Sequence, residues 1–452
     1  MINILSTIGP VTEKVNNLKK IVRFSKFIRL NGAHNTLRWH KNICNSIKKI
    51  NPHCKVLIDL PGIKPRTLNK TNLKINKNQL ILFYYGKKNN KKKITQIPLS
   101  KPLPKFKKPK IFSLSDGKYS FKFIGKGKNY IIGKSFESFN LLHKKGLNIP
   151  FSIYDDQFQA KVYFNFLKKI KKFKIDAIGL SYVQNSEIIK KIRKKFNKII
   201  VSKIENNEGC KNLDNICEAS DIIMIDRGDL SAEIGDNNLY DQTIRISKRA
   251  KYFGKLLIMA TENLETMISN NTPTKSEIMS LSLSESLGVD YLMLSDETAT
   301  STRFLKILKW IKDFNNRNLK KIKKNSNLVF NNPNELLFDN LKKIEYKNSK
   351  IVIFTRKGYV VEKILSLYPK IEVIVFTDNQ KVYDLSFLRR NCVIIKTKKI
   401  PNNLDKFIYS NIKKNKKIIF KDKKNIYLIY VAFVRKHSRA NTFTILEKKD
   451  FN

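Results

Sequence analysis

Short apolar runs recur along the first 325 residues, most of them followed by stretches in which apolar residues return every three or four positions. The runs are NILST (3–7), FIRLN (27–31), VLIDL (56–60), AIGLSYV (177–183), IIVSKI (199–204), IIMID (222–226), LLIMAT (256–261) and YLMLSDE (291–297). Runs of this length that are apolar almost throughout predict strands buried on both faces, as in a parallel sheet. The stretches NSEIIKKIRKKF after the fourth run and FLKILKWIKDF after the eighth have the helical period. Right-handed crossovers bring each strand back parallel to the last, and eight strands close a ring, so the pattern predicts an α/β fold built on a (βα)8 TIM barrel.

Polarity enters these runs at one end. Thr7, Arg29 and Asn31, Asp59, Ser181, Lys203 and Glu205, Asp229, Thr261, and Ser295 with Glu297 all stand at C-terminal ends or just beyond them. In a barrel those ends meet at one mouth, the face that carries chemistry. A single polar strand end is commonly a cap or a turn former. Eight such ends, with a cation, carboxylates and hydroxyls among them, predict a site. Residues two apart in a strand share a face, so Lys203 and Glu205 are expected to point the same way, with Ser202 and Ile204 opposite.

Two regions break the beat. Residues 68–147 are too many for a βα connection. They are rich in Lys, Asn, Tyr and Phe, hold strand-like pieces such as LILFYYG and YSFKFIG and the turn SDG, and predict a small inserted β-barrel domain that acts as a lid. From residue 350 the runs KIVIFT, EVIVFTD, CVIIKT and NIYLIYVAFV alternate with helical patterns, and KNSNLVFNNPNE before them has the composition of a linker. The expected organisation is therefore barrel at 1–67 and 148–330, lid at 68–147, and a C-terminal α/β domain at 340–452.

With 452 residues, 41% of them hydrophobic, the chain can bury a sizeable core. A formal net charge of +53 points by itself to nucleic acid or an anionic membrane. The excess is spread along the whole chain among many Asn and Ile, and no cluster of basic and aromatic residues or groove-reading helix accompanies it. Compositional bias is the better account, and no specific nucleic-acid partner is expected. The longest apolar run, IYLIYVAFV at 426–434, is strand-sized, so no membrane span and no secretory leader are expected. Five cysteines, at 44, 54, 210, 217 and 392, without a CxxC pair, argue against a disulfide framework or a zinc site and suit a reducing cytoplasm.

Glu205 and Asp229 are oxygen ligands expected on adjacent strands, a set that suits Mg²⁺. Lys203 beside them would stabilise negative charge growing on a substrate oxygen, and Arg29 and Arg66 offer guanidinium forks for phosphate. Gly228 in DRGDL would let a backbone amide approach a carboxylate or phosphate. The set favours phosphoryl transfer or enolate chemistry on a small anionic substrate.

The motifs STIGP, RLNGAHN, DLPGIKPRT, SDG, KKGLNIP, VSKIENNEG, DRGDL, MATENLETM, PTKSE and MLSDETA stand in the order and spacing of the pyruvate kinases. Over essentially its whole length the chain resembles that family. The resemblance implies phosphoenolpyruvate and ADP as substrates, Mg²⁺ or Mn²⁺ as cofactor, a homotetramer and a cytoplasmic, glycolytic role. It implies that Lys203 stabilises the transferring phosphoryl group and the enolate, that Glu205 and Asp229 bind the metal, and that Arg29 binds phosphate. Thr261 would stand where the enolate carbon takes its proton, with Ser295 in the relay region, and Gly228 and Asp229 would receive the substrate carboxylate through backbone amides. Asn31, His34, Arg66 and Lys145 match positions at or near ADP.

Departures from the family pattern sharpen this. Of the four oxygen ligands usual at the monovalent-cation site, Asn31 and Asp59 remain, while Ala33 and Leu60 replace the other two. Lys64 stands where potassium-dependent members carry glutamate, so its ammonium is expected to replace the ion and K⁺ not to be required. Pro61, Ser115, Asp226 and Glu262 also depart and change the charge or shape of the mouth. TRKGYVV, with Arg356 and Lys357, stands in place of a Ser/Thr-rich effector loop, which argues against sugar-phosphate activation. A drifted member that binds or regulates without catalysis, and a Mg²⁺-dependent lyase on the same barrel, remain as alternatives.

Overall fold

The computed structural model describes residues 2–88, 94–318, 350–369, 371–401, 404–421, 425–430 and 442–451. Eight strands close into a barrel: β1 (Asn3–Thr7), β2 (Phe27–Asn31), β3 (Lys55–Asp59), β4 (Ala177–Leu180), β5 (Ile199–Ile204), β6 (Ile222–Asp226), β7 (Leu256–Ala260) and β8 (Tyr291–Leu294). They follow chain order around the ring, and β8 pairs parallel with β1, Asn3 opposite Tyr291. Every residue of β5 and β6 is buried. Full burial of an Ile or Leu side chain contributes roughly 1.5–3 kcal/mol, which is why the runs are apolar on both faces.

Three of the strands are shorter than the apolar runs, and the third starts and ends one residue earlier. The fourth ends at Leu180 and the seventh at Ala260, because Tyr182 (φ 59) and Thr261 (φ 61) lie in the left-handed region that no strand accommodates. The eighth ends at Leu294, and a short helix, Asp296–Ala299, begins at once. NSEIIKKIRKKF forms the helix Ser186–Lys195: Asn185 Oδ1 accepts from the Glu187 amide at 3.0 Å, Ile188, Ile189 and Ile192 are buried, and Arg193 to Lys195 fill the last turn. Cap and terminal cations satisfy the ends of the helix dipole. FLKILKWIKDF lies in the helix Phe304–Asn318.

The inserted segment forms a six-stranded sheet and a separate two-stranded one, Leu73–Ile75 with Phe139–Leu141, rather than a closed ring. Phe83, Phe112 and Phe121 pack at its centre with ring centroids 5.3 to 6.0 Å apart. Contacts divide the chain into two compact units, residues 1–249 with 257–317 and residues 250–256 with 318–452. In the second, Lys350–Phe354, Glu372–Thr377, Cys392–Lys396 and Asn425–Tyr430 form a parallel sheet, and Thr442–Glu447 pairs antiparallel at its edge. Arg356 there lies 3.9 Å from Asp378. The KNSNLVFNNPNE stretch and residues 431–434 lie outside the described residues. Among the described residues all five cysteines are free thiols, and no helix is long and apolar enough to cross a membrane.

Candidate active site

The register of the barrel strands brings the polar ends together. Arg29 is the neighbour of Thr7 across β1 and β2, and its Nη1 donates to Thr7 Oγ1 at 3.1 Å while its Nε donates to Asp59 Oδ2 at 2.7 Å. Asp59 stands opposite Gly179 on β4, where a Cβ would fall 2.0 Å from Asp59 Oδ1, so glycine makes room for the carboxylate. The same Asp59 Oδ2 lies 3.8 Å from Lys203 Nζ. Lys203 in turn reaches Glu205 Oε1 at 2.6 Å and Asp226 Oδ2 at 3.1 Å. Lys203 and Glu205 thus share a face, while Ser202 turns away to accept from Ser220 Oγ at 2.7 Å.

All five charged groups are buried: Arg29 is 6% exposed, Asp59 2%, Lys203 5%, Glu205 0% and Asp226 6%. Burial alone would strip the Lys203 proton, but Glu205, then Asp226 and Asp59, outweigh it and hold the ammonium well above its ordinary range. Burial pushes the Glu205 carboxyl up, with Asp226 and Asp229 adding to it and Lys203 opposing. Asp226, whose charge the sequence left ambiguous, is neutralised by Lys203 and also accepts from Thr261 Oγ1 at 3.3 Å.

Asp229 is not on a strand; it lies in the first turn of the helix Arg227–Ile234 that follows β6. Its Oδ1 takes the Lys64 ammonium at 2.5 Å, and the same ammonium reaches Asp116 Oδ1 of the inserted segment's SDG turn at 2.5 Å. Burial raises the Asp229 carboxyl, but Lys64 and then Lys203 bring it well below the usual carboxylate range. The ammonium of Lys64 is therefore placed on Asp229 and Asp116, and no contact joins it to Asn31 or Asp59 among the described residues. Asn31 Oδ1 accepts from the Ala33 amide at 3.1 Å instead.

Thr261 and Glu262 sit on consecutive left-handed residues, φ 61 and 51. The Arg227 guanidinium donates to the carbonyls of both and to Asn263 Oδ1 at 3.1 Å, and so holds this costly turn in place. The Gly228 amide donates to Thr261 Oγ1 at 3.0 Å. Arg227 was hidden in the DRGDL motif behind its glycine and aspartate. Asp116 was equally hidden in SDG.

Ser295 gives its amide to Glu297 Oε2 at 2.7 Å. Burial pushes Glu297 up from 4.5 to about 7, so the folded chain binds this proton more tightly than the unfolded chain does. Stability is lost as pH rises through that window and is level above it. Glu297→Gln is expected to shrink the fall in Tm between about pH 4.5 and 7 relative to wild type, as read by calorimetry.

Of the residues matched to the nucleotide, Asn31 ends β2 opposite Asp59, and His34 follows three positions on. Arg66 is exposed and donates to the Lys144 carbonyl at 3.1 Å, and the Lys145 amide donates to Thr67 Oγ1 at 3.1 Å. Partial burial, then Arg66, Arg29 and Lys144, lower the His34 pKa, with Asp296 opposing. Burial and the neighbouring cations thus both disfavour a charged His34 ring.

One carboxylate oxygen from each of Glu205, Asp226 and Asp229 lies within 4.8 Å of the others. Oxygens bound to one Mg²⁺ at about 2.1 Å stand no more than about 4.2 Å apart, so a small contraction of this triad would hold the ion. Lys203, Arg29 and Lys64 face Asp59, Glu205, Asp226, Asp229 and Asp116, three cations against five carboxylates. A divalent cation would offset that excess.

Residues 1–304 match the model of the pyruvate kinase barrel domain. The chain belongs to the pyruvate kinase family. It is 31% identical over 315 residues to pyruvate kinase of Buchnera aphidicola from Acyrthosiphon pisum, covering 66% of this chain and 65% of that protein. The chain thus matches slightly less than two thirds of that relative's length. With pyruvate kinase of Thermotoga maritima it shares 25% identity over 461 positions, 98% of each chain. Pyruvate kinase of Methanocaldococcus jannaschii is 30% identical over 305 residues, 65% of this chain and 64% of that protein. The family match covers the barrel and the inserted segment, where all the residues of the mouth lie.

Proposed function

We propose that this chain transfers the phosphoryl group of phosphoenolpyruvate to ADP, giving pyruvate and ATP, with Mg²⁺ or Mn²⁺ and without a requirement for K⁺. The observation that carries the reading is the buried Lys203 ammonium, 2.6 Å from Glu205, at the mouth of the barrel with Arg29 and Thr261 around it. Glu205 and Asp229 would hold the metal, with Asp226 as a third carboxylate in reach. Bound there, a divalent ion would supply Lewis-acid stabilisation of negative charge on the substrate's oxygens.

The chain's own groups do the rest. Arg29, fixed by Asp59 and Thr7, is a pre-oriented fork for the phosphoryl oxygens. Lys203 faces the bond that breaks and stabilises the charge left on the enolate oxygen, at little reorganisation cost because three carboxylates already hold it. Thr261 Oγ1 stands between the Gly228 amide and Asp226, placed to hold a proton on its way to the enolate carbon, with Ser295 in the same relay region. The Gly228 and Asp229 amides, at the start of a helix, would receive the substrate carboxylate, the Gly228 amide by exchanging its bond to Thr261 Oγ1. Asn31, His34, Arg66 and Lys145 would meet the nucleotide.

Lys64 supports the K⁺ part of the reading by placing a fixed positive charge inside the site, 4% exposed. In potassium-free buffer with Mg²⁺, pyruvate release from phosphoenolpyruvate and ADP is expected to proceed, and added K⁺ to change it only a few-fold. A gain of about a hundredfold, roughly 2.7 kcal/mol off the activation barrier, would sink that part. A homotetramer in the cytoplasm belongs to the same proposal, and light scattering reads the assembly. A member that binds without turnover has one observation in its favour, the grip of Asp226 on Lys203 at 3.1 Å. No turnover with Mn²⁺ and phosphoenolpyruvate still bound selects that alternative.

A further inference from the structure

We propose that Tyr182 is a positioning residue for the divalent cation, holding Glu205 and Asp229 at once in the orientation that binds it. The inference rests on reading those two carboxylates as the metal ligands. Tyr182 follows β4, Glu205 follows β5, and Asp229 belongs to the helix after β6, so nothing local ties the two carboxylates together. Tyr182 does so with two different donors. Its backbone N–H donates to Glu205 Oε2, and its phenol donates to Asp229 Oδ1 at 2.8 Å.

This double reach depends on a backbone that tyrosine rarely adopts. At φ 59 the residue leaves the strand, and its amide turns from the sheet ladder to a carboxylate. A bulky residue there is strained and persists only where its surroundings over-determine it. They do here. Gln159 Nε2 donates to the carbonyls of Ser181 at 3.3 Å and Tyr182 at 2.7 Å, Tyr163 donates its hydroxyl to Ser181, and Ser181 Oγ donates to the Leu60 carbonyl at 3.2 Å. Gln159 and Tyr163 are fully buried at 0% exposure, so a polar amide and a phenol are kept in the core to hold this turn. The Tyr182 ring is clamped by Tyr154, edge-on at 5.1 Å, and packs with Ile63.

The contacts sort the carboxylate oxygens by task. Asp229 Oδ1 already accepts from Tyr182 and Lys64, which leaves Oδ2 to face a cation. Glu205 Oε2 accepts from the Tyr182 amide and Oε1 lies on Lys203, which fixes the plane of the carboxylate. Neutral donors orient a ligand without competing for its charge, and partners of this kind are worth roughly 10–100-fold in metal affinity.

The test is Mn²⁺ binding by the whole chain, read as the free-ion EPR signal with no substrate present, in wild type, Tyr182→Phe, Tyr154→Phe and Glu205→Gln, with Tm recorded for each. Tyr182→Phe removes only the hydroxyl and keeps the amide contact, and it is expected to raise the Mn²⁺ Kd about tenfold. The Mn²⁺ concentration for half-maximal turnover rises with it, while kcat at saturating Mn²⁺ stays within a few-fold. Tyr154→Phe loses a phenol that donates to Glu233 at 3.1 Å, outside the ligand pair, and leaves the Kd unchanged. An unchanged Kd in Tyr182→Phe, with or without a lower Tm, overturns the positioning role if Glu205→Gln still abolishes binding. Binding that survives Glu205→Gln overturns the ligand reading and this inference with it.

Discussion

Lys203→Met is expected to lower kcat for pyruvate release by about a thousandfold or more, because in the proposed reaction it removes the ammonium that faces the bond that breaks. Methionine keeps most of the volume of the side chain and none of its charge. A preorganised donor at developing negative charge is worth about 2.7–4 kcal/mol in a water-poor site, and Lys203 is a full cation held 2.6 Å from Glu205 at 5% exposure. The substitution also leaves Glu205, Asp226 and Asp59 without their shared partner. Those carboxylates then favour a divalent ion more strongly than before. Mn²⁺ affinity that holds or rises while kcat collapses therefore separates this outcome from a general loss of structure. Turnover that ignores the substitution overturns the assigned role.

Lys64→Met is expected to destabilise the fold by about 3 kcal/mol at pH 7, the low end of the cost of breaking a buried pair. The ammonium is 4% exposed and serves two carboxylates, but the Asp116 side chain is 58% exposed and water can replace its partner, so the cost falls mainly on Asp229 at 21%. The pH dependence has a definite sign. Lys64, with Lys203, keeps Asp229 below its ordinary range against burial, so the pairing stabilises above the unfolded carboxylate pKa of about 4 and fades as pH falls below it. The Tm gap between wild type and variant is expected to be widest near neutrality and to narrow below about pH 4. If the ammonium stands in for a monovalent ion, turnover of Lys64→Met recovers in part on adding K⁺. A variant as stable as wild type at pH 7 removes the argument that this pair matters to the fold.

The difference between these residues and Tyr182 shows what a linear reading reaches. Lys203 and Glu205 were legible as a pair because the two-residue repeat of a strand is a local property, and their unlikely charges interrupt an apolar run. Asp229 was legible as a carboxylate near them, though it was expected on a strand and lies on a helix. Lys64 was legible as an unusual cation, but its partners were not. They come from the inserted segment and from the helix after β6, 52 and 165 positions along the chain. Tyr182 was read as one more strand residue, since nothing about a tyrosine announces φ 59.

The order of apolar runs and polar ends was enough by itself to determine a barrel and the mouth at which its polar ends meet, and the motifs, by their resemblance, pointed to the family. The barrel and its mouth follow from side-chain period and residue type, which act over a few positions. Only closure of the ring and docking of the inserted sheet decided that Asp226 neutralises Lys203, that Lys64 joins Asp229 to Asp116, and that Tyr182 grips both proposed metal ligands. Those contacts depend on strand register and on backbone angles imposed by distant hydrogen bonds, and an ion pair in a buried site forms with whatever charge the fold brings within a few ångströms of it.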